Sequence, residues 1–446
     1  MFFTRFGALL LALAGLAALP SVASAQEEMR PNMPHILPLR ERALVQDAWL
    51  ARRLDTVVPR LMREAGVDMW VLIAREYLED PVMTTMLNAT SMRARRRTIL
   101  IFHDPGGGRP IERLTVSRYG LGGLFAPAWD PASQPDQWAR LAELIAARDP
   151  RTIRVNVSPD SAFGDGLTHS QYQELIEALP QRLRGRVRPG DDLAIGWLET
   201  RIPEEMARYP EIVRIAHAII AEGFSRRVIR PGRTSANDLV WWFRERIAGL
   251  GLDTWFQPSV AIFRQGAAGP LDGDAIIQPG DMLWTDFGIT YLGLNTDTQH
   301  LGYVLRRGDR DAPAGLRAGL AAANRAQDAV VASLRTGRSG NEVLEAARAL
   351  TGAQGLNATI YSHPLGYHGH GAGPSIGFWD NQNADPRGSR QVRPNTAWSI
   401  ELNVRHAVPE WGGQMVEFRL EEDAYYDGQT VRFLDGRLDR FHLIGR

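Results

Sequence analysis

Apolar and polar residues alternate along two stretches of the C-terminal half, LWTDFGITYLGLNTDTQHLGY (residues 283–303) and WSIELNVRHAVPEWGGQMVEFRLEED (residues 398–423). A period of two on either side of a Gly-containing turn predicts β-hairpins. Centred on Tyr291 and Leu292, the first hairpin sets Asp286 directly opposite Asp297. Centred on Trp411, the second sets Glu401 opposite Glu421. Directly opposed residues have Cβ atoms roughly 5 Å apart, so each pair can share or chelate a cation.

Helical spacing surrounds these stretches. Before the first hairpin it predicts helices over Pro203 to Ile229 and Ser235 to Leu250, the latter with a Ser235/Asp238 capping box. Before the second it predicts Pro313 to Leu334 and Ser339 to Thr351, with a Ser339/Glu342 box. The result is a weakly duplicated helix–helix–strands unit, each copy giving two carboxylates. From Pro31 to Thr200 the pattern changes. A helical stretch (Leu39 to Ala65) leads into strands MWVLIA, TILIF, LTVSRYG and IRVNVS, the helical LTHSQYQELIEALP, and the strand-like DDLAIGWLE. Strands alternating with helices imply a smaller α/β domain. Periodicity alone therefore gives α+β with antiparallel hairpins, preceded by α/β.

Asp286, Asp297, His363, Glu401 and Glu421 form a hard, oxygen-rich set of possible metal ligands, better matched to Mn, Co or Zn than a thiolate site. A single strand carboxylate is more often a solvated surface group. Two hairpins with carboxylates in register, and a His-rich loop between them, favour metal. In that loop His368 and His370 also form a His-x-His pair, a weaker candidate than His363. Gly106-Gly107-Gly108 is a turn without phosphate-loop context. His103 and His169 read as surface or packing residues, His300 and His406 as packing or rim groups, and Trp284 and Trp398 as core. Trp411, in a turn, is a candidate to line the cleft.

These residues resemble the pita-bread metallopeptidases: methionine aminopeptidase, aminopeptidase P and prolidase, with a creatinase-type N-terminal domain. The resemblance rests on the Asp286/Asp297 spacing, on His363-Pro-Leu-Gly366 with His370 seven residues after His363, on Glu401 in a Ser-Ile-Glu setting, and on Arg419-Leu-Glu421-Glu422. It covers about residues 205–446 and implies a pita-bread catalytic domain holding two divalent metal ions, manganese first, with cobalt or zinc as alternatives. It also implies roles. Asp286 binds one ion, Asp297 and Glu421 bridge, His363 binds the other, and Glu401 binds and shuttles a proton. His370 hydrogen-bonds the substrate carbonyl or the tetrahedral intermediate, and Arg419 orients carboxylates or reaches the substrate. Two ions so bridged lower the pKa of a shared water. The sequence departs from the family at two points. Relatives carry a further substrate-facing His upstream of the first Asp, where this chain reads RQGAAGPLDGD and has no histidine between His217 and His300. Leu402-Asn403 also stands where Pro-Gly usually follows the fourth ligand. The metal centre is kept while the substrate pocket is altered.

Composition sets the remaining bounds. The 446 residues suffice for two or three domains; 51 Lys and Arg against 51 Asp and Glu give no basic face for nucleic acid. With no cysteine, disulfide and thiolate chemistry are excluded. Arg5, the apolar run Ala8 to Leu19 and Ala23-Ser24-Ala25 have the form of a signal peptide over residues 1–25, with the mature chain starting at Gln26. The expected protein has a creatinase-like domain over residues 26–200 and the pita-bread domain over 201–446. It is periplasmic or secreted, has no membrane anchor after processing, forms a homodimer by resemblance, and acts on short peptides as an Xaa-Pro aminopeptidase- or dipeptidase-like hydrolase. The alternatives are another small amide or ester as substrate, or a non-catalytic binding protein of the same fold.

Overall fold

The computed structural model describes residues 33–445; the signal segment expected over residues 1–25 lies outside them. A long helix, Leu39–Glu64, leads into a six-stranded sheet made of β1 (Met69–Arg75), β2 (Arg97–His103), β3 (Glu112–Thr115), β4 (Ala126–Pro127), β5 (Ile153–Asn156) and β6 (Val187–Gly190). Its order is β4-β3-β2-β1-β5-β6; β1 pairs antiparallel with β2 and parallel with β5. β1 is buried on both faces, which accounts for its unbroken apolar run. One face meets the helices Gln137–Arg148 and His169–Ala178, and the other meets Leu39–Glu64.

Two expectations for this half change. DDLAIGWLE forms the helix Asp192–Glu199, buried almost throughout. Burial on every side removes the polar stripe that would have marked a helix, so the run imitates a buried strand. LTVSRYG ends as a strand at Thr115 and continues as a loop.

In the second half, Pro203 to Ile229 divides into Pro203–Met206 and Tyr209–Gly223, with a proline in the first turn of each. Helices Ala236–Gly249, Ala314–Ser333 and Gly340–Ala353 follow the sequence pattern, and both predicted capping boxes form. They pack around a second sheet built from β7 (Ser259–Phe263), β8 (Met282–Phe287), β11 (Thr298–Val304), β12 (Ala358–Ile360), β13 (His363–Leu365), β14 (Thr396–Val408), β15 (Gln414–Tyr426), β16 (Val431–Phe433) and β17 (His442–Ile444). A short ribbon, β9 (Thr290–Tyr291) with β10 (Leu294–Asn295), caps the β8–β11 hairpin. The main path runs β12-β14-β15-β11-β8-β7. Ala314–Ser333 lies so close to it that a Cβ on Gly319 would stand 2.2 Å from the Phe418 ring. No helix among the described residues is long and apolar enough to cross a membrane.

Arg53, on the first helix, ties the halves together. Fully buried, its guanidinium donates to Glu205 Oε2 at 3.1 Å and to the Thr200 and Trp197 carbonyls, and it lies over the Trp197 and Tyr367 rings. Tyr367 in turn donates to Glu205 Oε1 at 3.1 Å. It sits within the loop that runs from His363 to His370.

Candidate metal centre

The two hairpins bring the predicted carboxylates together with different registers. β14 and β15 pair without interruption over thirteen residues each, and Glu401 lies directly opposite Glu421. The first hairpin departs from expectation. Its turn is Leu292-Gly293, both at positive φ, so Asp286 faces Gln299 rather than Asp297. A two-residue turn with both central φ positive suits the twist of a hairpin, and it moves the centre by one residue. Asp297 enters the site diagonally, where the ladder opens at Gly288–Ile289 and Thr296–Asp297. Asp286, Asp297 and Glu421 nevertheless bring one oxygen each within 4.8 Å of one another.

His363 is carried on β13, paired with Ser399 of β14. Its Nδ1 lies 3.0 Å from the Pro364 carbonyl, which fixes the proton there and leaves Nε2 facing inward. That nitrogen is 3.6 Å from Asp297 Oδ2, 3.6 Å from Glu421 Oε1 and 3.9 Å from Glu401 Oε2. Two residues missed in the sequence complete the arrangement. The Gln299 amide donates to Glu401 Oε1 and, at 2.7 Å, to Glu421 Oε2, while its oxygen accepts from Trp284 Nε1 at 2.9 Å. The Ser399 hydroxyl donates to Glu421 Oε1. Both were legible from alternation: Gln299 lies two residues past Asp297 and Ser399 two before Glu401, on the same faces.

Burial drives the carboxyls of Asp286, Asp297 and Glu401 well above the ordinary carboxylate range, and the charge of Glu421 adds to it in each case. Four acidic groups converge with two neutral donors and, among the described residues, no cationic side chain hydrogen-bonded to them. Asp286 Oδ1 and His363 Nε2 are buried without a hydrogen-bond partner. This is the environment a divalent cation satisfies, and the donor set of carboxylate oxygens and one imidazole fits such ions.

A pH dependence follows for the metal-free protein. The folded state binds more protons at these carboxyls than the unfolded chain does, so stability falls as pH rises above the unfolded carboxylate range of about 4. The gain in melting temperature on adding Mn²⁺ to chelated protein is expected to be larger at pH 8 than at pH 5. An equal gain at both would show that these groups ionise without penalty.

His370 lies edge-on to His363, with ring centroids 4.9 Å apart, and 5.1 Å from Trp255. Burial, followed by the nearness of His363, lowers its pKa, so it stands as a neutral N–H donor near pH 7. His368 turns away and stacks on Phe163 at 4.4 Å, which separates the His-x-His pair. Arg419 gives its hydrogen bonds to Glu417, at 2.7 Å and 3.2 Å, and lies over Trp284. From there it lines a second chamber of about 440 Å³ that also reaches Asp286, Gln299 and Glu401. Trp411 is buried in the core instead of lining the cleft. The cavity over the carboxylates, about 400 Å³, holds Asp286, Asp297, Glu401, Glu421 and His370 under a wall of Trp255, Phe256, Tyr361, Phe378 and Trp379. That wall comes mostly from loops, where no periodicity announces it.

Opposed carboxylates on a curled sheet, with a buried imidazole beside them, define the site of a pita-bread metallopeptidase. Residues 211–425 match the model of metallopeptidase family M24, so this segment is an M24 metallopeptidase domain. No curated protein sequence matches the chain. Solved structures do: an X-Pro aminopeptidase from Thermotoga maritima (16% identity, 87% of this chain and 100% of that one, TM-score 0.61) and an Xaa-Pro dipeptidase from Bacillus anthracis (18%, 88% and 99%, TM-score 0.58). A dipeptidase from Mycobacterium ulcerans (18%, 90% and 99%, TM-score 0.56) is a third. At these identities the likeness establishes the fold, which extends over both halves of the chain.

Proposed function

We propose that the protein is an exported, dinuclear-metal peptidase that cleaves short peptides, with a preference for Xaa-Pro bonds weaker than in prolidase or aminopeptidase P. The observation that carries this reading is the convergence of Asp286, Asp297, Glu401 and Glu421 at the floor of an aromatic-walled cavity, with His363 buried beside them. These five residues would hold the two ions. When bound, the ions supply a water ionised near neutral pH and a Lewis acid for the carbonyl. The protein's own residues do the rest. Gln299 and Ser399 fix the Glu401 and Glu421 carboxylates. Neutral His370 donates to the substrate carbonyl oxygen as charge develops there. Glu401 holds the proton lost by the attacking water and passes it to the leaving nitrogen.

The wall of Trp255, Phe256, Tyr361, Phe378 and Trp379 suits a compact apolar ring such as proline. The histidine missing from RQGAAGPLDGD removes one donor, worth about 1–3 kcal/mol where its loss leaves a buried partner unpaired. Comparison of kcat/KM for Ala-Pro, Ala-Pro-Ala and Ala-Ala-Ala tests the point. Proline is expected to be favoured by less than about a thousandfold, or roughly 4 kcal/mol at 1.36 kcal/mol per tenfold. A larger ratio would show that another group replaces the histidine. No peptide hydrolysis at full metal occupancy would transfer the reading to another small amide or ester.

Export and assembly belong to the same proposal. Mature protein is expected to begin at Gln26 by N-terminal sequencing and to be a homodimer. A retained leader in the membrane fraction would contradict the processing.

A further inference from the structure

Strand alternation sends Glu421 into the cavity and Glu422 to the reverse face of the sheet, where a second group of metal-ligating side chains meets. Glu422 Oε2 lies 3.3 Å from His217 Nε2, on helix Tyr209–Gly223, and Glu422 Oε1 lies 3.2 Å from His300 Nε2, on β11. One ligand atom from each of the three residues falls within 4.8 Å of the others. Ligands around a tetrahedral zinc ion, at about 2.0–2.1 Å from it, stand about 3.3 Å apart. Among the described residues, the buried His217 Nε2 and Glu422 Oε2 have no hydrogen-bond partner other than each other, and Glu422 itself is fully buried.

The outer nitrogens of both histidines are held. His217 Nδ1 is 3.1 Å from Asp435 Oδ2, and Arg214 pairs with the other Asp435 oxygen at 3.0 Å. His300 Nδ1 is 3.1 Å from His442 Nε2, on β17. A metal-ligating histidine characteristically has its second nitrogen oriented by a carboxylate, carbonyl or similar group in this way. A hollow of about 370 Å³, lined by His217, His300, Asp435 and His442, adjoins the cluster and gives access from outside.

We propose that His217, His300 and Glu422 form a third divalent-cation site, of zinc type, on the face of the sheet opposite the catalytic pocket, with its fourth position open to this hollow. Asp435 and His442 act as positioning residues for the two imidazoles. The competing arrangement is a protonated His217 paired with both carboxylates: burial opposes that charge most, yet Asp435 and Glu422 hold the imidazole proton up to about 10. A proton and a zinc ion compete for the same nitrogen, so one measurement separates them.

Zinc-loaded, desalted full-length protein is expected to carry one more ion per chain than His217→Gln or His300→Gln treated alike. His442→Gln, milder because it removes no ligand, is expected to weaken that ion about 10–100-fold in chelator competition. Because the count is a difference between variants, it stands whatever the catalytic pocket holds. Anomalous diffraction at the zinc edge from unmodified protein needs no substitution. A peak bounded by His217, His300 and Glu422 supports the site even if the Asp286 centre is empty, which would count only against the dinuclear reading. The third site is overturned by the absence of that peak in zinc-soaked crystals, or by equal ion counts in folded wild type and variants.

Discussion

Glu421→Gln is expected to abolish high-affinity metal binding and lower kcat/KM by about a thousandfold or more, on the order of 4 kcal/mol, while the metal-free protein becomes no less stable. Glu421 sits where every other candidate ligand converges. It faces Glu401 across the β14–β15 ladder, comes within 4.8 Å of Asp286 and Asp297, and lies 3.6 Å from His363 Nε2. Its charge helps to raise the carboxyls of Asp286, Asp297 and Glu401. Neutralising it relieves repulsion in the empty site and removes a ligand shared by the filled one. The two states should therefore respond in opposite senses: an unchanged or higher melting temperature in chelator, and a lost gain on adding Mn²⁺. Metal analysis and calorimetry on the same preparations check this. A variant that keeps two ions and normal activity would remove Glu421 from the centre.

His363→Ala and His370→Ala are expected to fail in different ways. His363 has its Nδ1 committed to the Pro364 carbonyl and its Nε2 directed at three carboxylates, so its loss should lower metal occupancy. His370 stands at the cavity wall as a neutral donor, so its loss should leave the ions in place. It should lower kcat by about a hundred- to a thousandfold, or 2.7–4 kcal/mol, by analogy with removal of an oxyanion donor. The geometry makes the test sharp, because a nitrogen of His370 also falls within 4.8 Å of Asp297 and His363 ligand atoms. Loss of an ion from His370→Ala would make it a ligand and end its assignment as substrate donor.

How much of this the sequence discloses depends on how regular each segment is. β14 and β15 form one unbroken hairpin, so a period of two carries the register across the whole ladder and places Glu401 against Glu421. The β8–β11 hairpin breaks its ladder before Asp297 and turns at Leu292, a residue that rarely accepts φ of 54°. Alternation alone could not foresee that shift. The shift sets Gln299, which the period of two already puts on the face of Asp297, directly opposite Asp286. The helix Asp192–Glu199 was obscured for the opposite reason, since complete burial erases the contrast on which periodicity depends. His217, Glu422 and His442 come from three separate elements and meet only through tertiary packing. Nothing in the local spacing of the histidines points to their meeting.

The buried Arg53 bears on whether the catalytic half can exist by itself. Excision of everything before residue 201 would take from Glu205 the Arg53 guanidinium at 3.1 Å and leave it the more distant Arg201 at 3.6 Å. It would also withdraw one of the two guanidinium groups that lie over Tyr367, Arg53 at 5.0 Å beside Arg201 at 4.6 Å, and the Tyr367 backbone belongs to the segment carrying His363 and His370. Gly366 of that same segment accepts from the Asn295 backbone N–H at 2.8 Å, next to the hairpin bearing Asp297. The first helix thus serves as a brace for ligands on two different strands. Part of what holds the loop between His363 and His370 in place therefore comes from the N-terminal half.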